Sequence, residues 1–207
     1  MTFRQKCRGL NELIEEVLND KRKKRLQKIF WIYPTSNFII HNMNDFKKIE
    51  PRIKCRFLPI TFNNYHRVSD FREEYRISQY KDKITRNEIG YFAECEGKMI
   101  GSIWATINKS DAHNIVRTYM KLMPDEGLIH DIVTGERSRG LLVGPFMVSK
   151  ILSILLEEYL LSRIIIDVNM RNRSSLRMMQ TLNLRTDHKM LSVSVFGRSV
   201  LQLVLKR

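Results

Sequence analysis

Apolar positions in the second half of the chain predict a strand, a long helix, a second strand and a short helix. Residues 127–133 form a short, partly β-branched run, and residues 163–168 (RIIIDV) form a continuous apolar run typical of a strand covered on both faces. The apolar run between them, residues 141–161, is too long for one strand. Four polar side chains interrupt it: Ser149, Lys150, Glu157 and Glu158. We therefore expect a mostly buried helix there, not a membrane span.

Apolar positions at the start of the chain predict a helix followed by extended segments. Five apolar residues recur at helical spacing: Leu10, Leu13, Ile14, Val17 and Leu18. They predict an amphipathic helix over residues 11–28. Residues 29–33 and 38–40 then predict two short strands around a turn at residues 34–37 (PTSN).

The middle of the chain predicts a strand, a helix and several further strands. Residues 54–60 form a strand that Pro59 interrupts, and Thr61 is the predicted cap of a helix over residues 62–80. Glu96 and Gly97 predict the turn of a hairpin. The further predicted strands are residues 89–95, 99–107, 114–123, 190–196 and 199–206.

This order of elements favours an α+β (mixed α/β) fold, because mixed strands precede a β-α-β-α series and a closing hairpin. The 207 residues are enough for one domain with a substantial core. We expect residues 1–50 to form a helical and mixed N-terminal extension, and residues 51–207 to form the main domain.

The net charge of +14 at pH 7 favours acidic partners such as nucleic acid, an anionic lipid surface or a phosphorylated small molecule. The first 30 residues carry nine Lys or Arg and four Asp or Glu, including the run KRKKR at residues 21–25. A solvated helix end explains this run more simply than a nucleic-acid or membrane contact, because no aromatic residue interrupts it. Nucleic acid is therefore the weaker of the candidate partners.

Three cysteines and five histidines lack the spacing of a disulfide framework or a metal site. Cys7, Cys55 and Cys95 lie far apart and form no CxxC pair, which is typical of reduced thiols in a cytoplasmic protein. The sequence predicts no transmembrane segment, and its first residues lack a signal-peptide core. We expect a cytoplasmic protein without a bound metal.

The turn between the predicted strand 127–133 and the long helix carries the main chemical signal. Gly135 and Gly140 bracket a polar turn that contains Arg137 and Arg139. The first N–H groups of a helix lack intrahelical partners and the helix dipole is positive there, so such a turn is suited to binding phosphate. An ordinary β–α turn that happens to be basic is the alternative explanation.

Three sequence motifs resemble those of the GCN5-related N-acetyltransferase (GNAT) superfamily. Residues 137–142 (RSRGLL) resemble its Arg/Gln-x-x-Gly-x-Gly/Ala signature. Residues 172–184 (NRSSLRMMQTLNL) resemble its Asn-x-x-Ala/Ser-hydrophobic motif followed by Tyr-x-x-x-Gly-Phe. Residues 91–101 are similar to the strand–turn–strand that opens the same fold, and the resemblance covers about residues 55–207.

Three departures accompany the resemblance. Leu142 stands where the family has Gly or Ala, and Asn183 with Leu184 replaces the usual Gly-Phe. Met179 stands where many members have a tyrosine that protonates the leaving thiolate. The family's general acid therefore has no counterpart at that position.

The resemblance implies a GNAT-like acyl-CoA N-acyltransferase fold, with a central mixed, mostly antiparallel sheet and helices on both faces. It implies that acetyl-CoA lies in a slot where two strands splay apart, that a backbone amide near Ile132 or Val133 polarises the thioester carbonyl, and that Asn172 hydrogen-bonds the cofactor. The implied coenzyme A-binding residues are Ile132, Val133, Arg137, Ser138, Arg139, Gly140, Leu141, Leu142, Val143, Asn172 and Ser175.

In that family the acceptor amine attacks the thioester directly, so the resemblance implies a nearby group that takes the amine's proton. His130 and Asp131, late in the central strand, are the candidate catalytic residues, and a neutral imidazole suits the task. Because adjacent strand residues point to opposite faces, we expect at most one of them to face the slot. A core histidine and an ion-paired carboxylate are the structural alternatives.

We therefore expect an N-acetyltransferase that moves an acetyl group from acetyl-CoA to a primary amine, most simply on a small molecule, with a homodimer as one candidate assembly. The alternative is a basic binding protein for nucleic acid or an anionic surface, on the same fold, with a vestigial cofactor slot. Leu142, Met179 and the net charge favour the alternative. The basic glycine turn and Asn172 favour the enzyme.

Overall fold

The computed structural model describes residues 30–110, 114–117, 120–196 and 198–206. The predicted helix over residues 11–28 lies outside them. The strands are β1 (Phe30–Ile40), β2 (Arg56–Pro59), β3 (Ile89–Cys95), β4 (Lys98–Asn108), β5 (Asn114–Arg117), β6 (Met120–Leu122), β7 (Glu126–Thr134), β8 (Arg163–Asn169), β9 (Thr186–Val195) and β10 (Arg198–Lys206). The helices are α1 (Arg76–Thr85), α2 (Val143–Glu157) and α3 (Arg173–Thr181), with 3₁₀ turns at Met43–Asp45, Tyr65–Asp70 and Glu136–Ser138.

Eight strands form one sheet in the order β10-β9-β1-β8-β7-β4-β3-β2, and β5 and β6 form a separate pair. Neighbouring strands of the large sheet are antiparallel except β7 and β8, which are parallel. The predicted mostly antiparallel α+β fold is therefore confirmed. None of the described helices is long and apolar enough to cross a membrane.

Helices cover both faces of the sheet, as the alternation along β4 shows. Ile103 and Ala105 belong to the main buried cluster, which α2 and α3 cover. Trp104, between them, points to the other face and packs edge-on against Tyr80 of α1 at 5.2 Å between ring centroids. All three side chains are fully buried, so the sequence does not alternate here, and the pleat of the strand decides which face each side chain takes.

β1 occupies a central place in the sheet, between β8 and β9. It is one continuous strand, so the predicted turn at residues 34–37 is wrong. The physical reason is that β9 pairs with Pro34 whereas β8 pairs only from Thr35 onward. A residue without an N–H is tolerated where the strand is paired on one side only. Residues 30–40 lie in the segment assigned to the N-terminal extension, and they are hydrogen-bonded into the sheet.

The region between β2 and β3 folds differently from its prediction. The predicted helix over residues 62–80 is wrong, because a 3₁₀ turn at Tyr65–Asp70 precedes the separate helix α1. The side chain of Asp70 is hydrogen-bonded outside any helix, since its Oδ2 accepts hydrogen bonds from the backbone N–H of Met99 at 2.9 Å and from Arg67. A side chain that bonds to another strand favours a break over a continuous helix.

The predicted single strand over residues 114–123 is also wrong. Residues 114–117 and 120–122 instead pair with each other as β5 and β6, in antiparallel register. Leu122 packs there against Leu128 and Ile165, on the sheet face opposite α2. Folding back on itself lets this segment cover apolar residues of the large sheet, which one extended strand would leave exposed.

Two of the sequence departures keep the backbone conformation that glycine favours. Leu142 has φ of 62° and Asn183 has φ of 59°. Asn183 follows α3 and closes its last turn, since the N–H of Leu184 donates to the carbonyl of Met179 at 3.0 Å. Asparagine tolerates this conformation better than most residues, whereas leucine is strained in it. Leu142 and Asn183 therefore differ from glycine in their side chains, while their backbone keeps the positive φ that glycine favours.

Asn183→Gly should raise the free energy of unfolding by about 0.5 kcal/mol, and Asn183→Ala should lower it by about 1 kcal/mol. The physical reason is the positive φ of this exposed residue, which glycine adopts without a steric penalty. Urea denaturation of the two variants measures the difference. An alanine variant at least as stable as the glycine variant would contradict this account of the helix end.

Candidate active site

The candidate site is a cleft where β7 and β8 separate. The two strands pair over four positions only, from Glu126 opposite Arg163 to Ile129 opposite Ile166. Beyond that point β7 stays with β4 and β8 stays with β1. The cleft has a volume of about 190 Å³. Its lining residues are Tyr33, Ile129, His130, Asp131, Ile132, Ile166, Asp167, Val168, Asn169, Asn172 and Ser175.

A larger hollow of about 670 Å³ lies beside the Glu96–Gly97 hairpin. Two of its four charged lining residues, Arg56 and Glu94, are bound to each other. None of the residues predicted for the site lines it. The cleft between β7 and β8 is therefore the better candidate, because it lies at a break in the sheet and exposes polar side chains from several elements.

A β-bulge in β7 shapes one wall of the cleft. Ser102 pairs with Val133 and Trp104 pairs with His130, so Asp131 and Ile132 together oppose the single residue Ile103. Asp131 has φ of 46°, which matches the bend of the strand at a bulge. A bulge interrupts the hydrogen-bond ladder, so it re-aims the backbone amides next to it.

The bulge also overturns the expectation that His130 and Asp131 face opposite sides. Asp131 contacts Lys83 of α1, and His130 contacts Thr106, which follows Trp104 by two positions and shares its face. Both side chains therefore lie on the α1 side of the sheet. The positive φ of Asp131 breaks the alternation on which the prediction depended.

His130 lies between a hydroxyl and a carboxylate. Its Nε2 is 3.0 Å from Oγ1 of Thr106 and 3.4 Å from Oε2 of Glu88. The side chains of His130 and Glu88 are 15% and 9% exposed. The other carboxylate oxygen of Glu88 accepts two hydrogen bonds from Arg86, at 2.8 and 3.0 Å. The imidazole is thus held by neighbours while it still lines the cleft.

Asp131 is the centre of a half-buried ion cluster. Its carboxylate lies 2.5 Å from Nζ of Lys83 and 3.2 Å from Nη1 of Arg72, two cations that are only 13% and 12% exposed. Burial disfavours the charged carboxylate, but Lys83 and Arg72 outweigh burial and hold the pKa of Asp131 below its ordinary value. Asp131 is therefore an ionised partner for two cations, and its lowered pKa makes it a weak proton acceptor.

The predicted phosphate turn lies between β7 and α2. Ser138 and Arg139 use their N–H groups within the turn, donating to Gly135 and Glu136 at 3.0 and 3.2 Å. Within the described part of the chain, the N–H groups of the next four residues have no acceptor: Gly140, Leu141, Leu142 and Val143. Of the predicted amides of residues 137–143, those of Ser138 and Arg139 are therefore used within the turn, and the four from Gly140 to Val143 stay available to an anion.

The side chains around those amides leave room for an anion. Gly140 has φ of 80°, and a Cβ added there would meet nothing within 4 Å. Arg137 and Arg139 are exposed beside it. Leu142 begins α2 without a side-chain cap. An uncapped helix N-terminus beside two exposed guanidinium groups is an anion site in its chemistry.

The predicted motif of residues 172–184 reaches the cleft through the start of α3. Oδ1 of Asn172 accepts a hydrogen bond from the N–H of Ser175 at 3.0 Å and so caps the helix, and both residues line the cleft. Met179 is fully buried in the main core. Its position explains why the sequence tolerates an apolar residue there, because the side chain packs between α3 and the sheet.

The structure thus divides the predicted residues into two groups. Five line the cleft: His130, Asp131, Ile132, Asn172 and Ser175. The seven residues from Arg137 to Val143 form the turn and the start of α2, and Val133 lies in β7 after the bulge. The sequence analysis did not predict Tyr33, Glu88 or Asn169 as site residues. Asn169 could have been predicted, because it is a polar residue at the end of the apolar strand β8.

Comparison with known proteins agrees with this geometry. A family model described as the acetyltransferase (GNAT) family matches residues 56–183. A search of curated sequences gave no significant match. Among solved structures, the chain is similar to a GCN5-related glucosamine N-acetyltransferase region of a fungal multi-domain GH3 β-N-acetylglucosaminidase, with a TM-score of 0.56, 13% identity, and coverage of 84% of this chain and 23% of that one.

Two further solved structures share the fold. A GCN5-related N-acetyltransferase from Sphaerobacter thermophilus has a TM-score of 0.54 and 11% identity, and the match covers 85% of this chain and 56% of that one. A tandem GNAT protein from the clavulanic acid biosynthesis pathway has a TM-score of 0.52 and 11% identity, with coverage of 82% and 55%. This chain therefore spans 23% to 56% of the length of these structures. By the match over residues 56–183, the chain belongs to the acetyltransferase (GNAT) family.

Proposed function

We propose that this protein transfers an acetyl group from acetyl-CoA to a primary amine. The observation that carries the proposal is the cleft between β7 and β8, whose wall β7 leads directly into a turn with four unpartnered amides. A coenzyme A-dependent transfer needs two parts in the protein. One is a polar cleft that holds the activated acyl group, and the other is a turn that binds the phosphates of the donor. Family membership supports acyl transfer as the reaction class.

The turn fits the anionic part of the donor. The N–H groups of Gly140 to Val143 would hold its pyrophosphate, and the exposed Arg137 and Arg139 would add positive charge. Recognition by backbone N–H groups depends on the conformation of the chain and not on the side chains. For this reason Leu142, with its glycine-like φ, is compatible with the same role.

The bulge in β7 fits the reacting end of the donor. When bound, the donor supplies a thioester carbonyl, whose oxygen gains negative charge as the acyl group is transferred. The backbone N–H of Ile132 or Val133, next to the bulge, would stabilise that charge. Asn172 and Ser175, on the opposite wall, would orient the donor.

His130 is the better of the two proposed bases. Amines are protonated at neutral pH and must lose a proton before or during attack. His130 lines the cleft, and after it accepts a proton the carboxylate of Glu88, 3.4 Å away, would stabilise the imidazolium. Asp131 is already bound to Lys83 and Arg72. Its proposed role is to hold α1 against the bulge.

An acetyl-transfer assay tests the proposal. The protein is incubated with acetyl-CoA and a panel of primary amines: an alkyl diamine, an amino sugar and a peptide with a free N-terminus and a lysine. Release of the coenzyme A thiol and the mass of the acetylated product are both measured. We expect protein-dependent product from at least one class. Binding of acetyl-CoA without product from any class would contradict amine transfer.

A further inference from the structure

The departing thiolate needs a proton, and the family position for its donor holds Met179. The ordinary pKa of a cysteine thiol is about 8.5 and that of a simple alkyl thiol is higher, so a group with a pKa in this range is the suitable acid at neutral pH. Met179 has no proton to give and is fully buried in the core. If the chain supplies an acid, it comes from another element of the cleft wall.

Tyr33 of β1 reaches this cleft from a segment outside the matched family region of residues 56–183. The strand register explains how. Thr35 pairs with Asn169 at the end of β8, and the carbonyl of Pro34 accepts a hydrogen bond from the N–H of Met170 at 2.9 Å. Tyr33 therefore lies where the chain leaves β8 toward the cap of α3, and its half-buried side chain lines the cleft together with Asn172.

The other protic side chains of the lining suit the task less well. Asp131 is bound to Lys83 and Arg72, which hold its pKa below the ordinary value. Carboxylic acids in general are too strong to stay protonated at neutral pH. His130 is assigned to the amine's proton. The hydroxyl of Ser175 is a far weaker acid than a thiol. A phenol, with an ordinary pKa of about 10, is protonated at neutral pH and acidic enough to protonate a thiolate.

We propose that Tyr33 is the general acid of the transfer, a role that rests on the proposed function. In the balanced step, a bond forms between the amine nitrogen and the carbonyl carbon, and the carbon–sulfur bond breaks. The sulfur keeps the electron pair of that bond and takes the proton of the Tyr33 hydroxyl. His130 takes the proton that the amine nitrogen loses. Proton return from solvent to Tyr33, and loss from His130, complete the cycle.

The role predicts a contact between the Tyr33 hydroxyl and the sulfur atom, which binding measures without turnover. Coenzyme A and its desulfo analogue are titrated calorimetrically at alkaline pH, where part of the thiol is ionised. Tyr33→Phe should weaken coenzyme A by about tenfold, the scale of a hydrogen bond to a charged group, and should leave the desulfo analogue within about twofold. Met179→Leu, a volume-conserving core change, is the matched control and should alter neither affinity.

Each outcome decides the matter. Selective loss of coenzyme A affinity in Tyr33→Phe supports the assignment. Equal weakening of both ligands would mean that Tyr33 only shapes the cleft, and unchanged affinity for both would mean that it does not reach the sulfur, so either result overturns the proposal. Failure of the wild-type protein to bind coenzyme A is a separate result, which would overturn the proposed function itself.

Discussion

His130→Gln should lower kcat for acetyl transfer by about 10²- to 10⁴-fold, the usual contribution of a general base. Glutamine keeps a polar side chain beside Thr106 but cannot take up the amine's proton. The affinity for acetyl-CoA should stay within about twofold, because the proposed anion site is the turn after β7 and not His130. Steady-state kinetics and calorimetry on the same preparation give both values.

The pH dependence separates a base from a structural histidine. If His130 takes the proton, raising the pH should restore part of the lost activity in His130→Gln, because more of the amine is then neutral without help. Glu88→Gln should have a smaller effect, about tenfold, since it removes only the carboxylate beside the ring. Activity of His130→Gln within threefold of wild type, or no recovery at high pH, would assign His130 to structure alone.

Asp131→Asn should lower the free energy of unfolding by about 3–5 kcal/mol. The substitution leaves Lys83 and Arg72, only 13% and 12% exposed, without the carboxylate that neutralises them. Uncompensated charge with little access to water is among the costliest changes in a protein. Urea denaturation measures the loss. A loss below about 1 kcal/mol would show that water neutralises the cluster as well as Asp131 does.

Asp125→Asn is the matched control. Asp125 binds Lys109 at 2.7 Å, but the two side chains are 55% and 43% exposed. Asp125 and Asp131 both have positive φ, of 57° and 46°, and asparagine tolerates that conformation, so backbone strain cancels in the comparison. An exposed pair contributes less than about 1 kcal/mol, and the control should be correspondingly mild.

Lowering the pH should reduce the free energy of unfolding of the wild-type protein, by part of the amount that Asp131→Asn removes. The folded pKa of Asp131 lies below its value in the unfolded chain, because Lys83 and Arg72 outweigh the effect of burial. The stabilisation is therefore present above the unfolded pKa, near 4, and is lost as the pH falls through the folded pKa. Asp131→Asn should be less sensitive to acid than the wild type over that range.

The sequence predicted the central elements well because their burial makes the pattern unambiguous. β8 ends one residue beyond its predicted bounds, at Asn169, and α2 lies within the predicted run of residues 141–161. Both have continuous apolar runs that only a buried position accommodates. The same reasoning fails at residues 34–37, where polar side chains and a proline suggest a turn but pairing with β9 extends the strand.

The cleft itself was only partly predictable. The basic glycine turn after β7 and the place of Asn172 in the cleft follow from local motifs, which the sequence displays directly. The bulge at Asp131 does not, because it depends on how β7 pairs with β4. Glu88 and Tyr33 come from segments that long-range pairing alone brings to β7 and β8. The periodicity of a single sequence does not indicate such long-range contacts.

The most direct test of the account is a calorimetric titration with acetyl-CoA at low and at physiological salt. We predict micromolar binding that weakens only modestly with salt and is abolished in Gly140→Glu, which adds strain and negative charge beside the four unpartnered amides. Gly97→Glu is the control, since Gly97 has the same φ of 80° and the same open surroundings in a hairpin. Binding that vanishes with salt, or that survives in Gly140→Glu, would contradict a built acetyl-CoA site and leave only a basic surface that attracts anions.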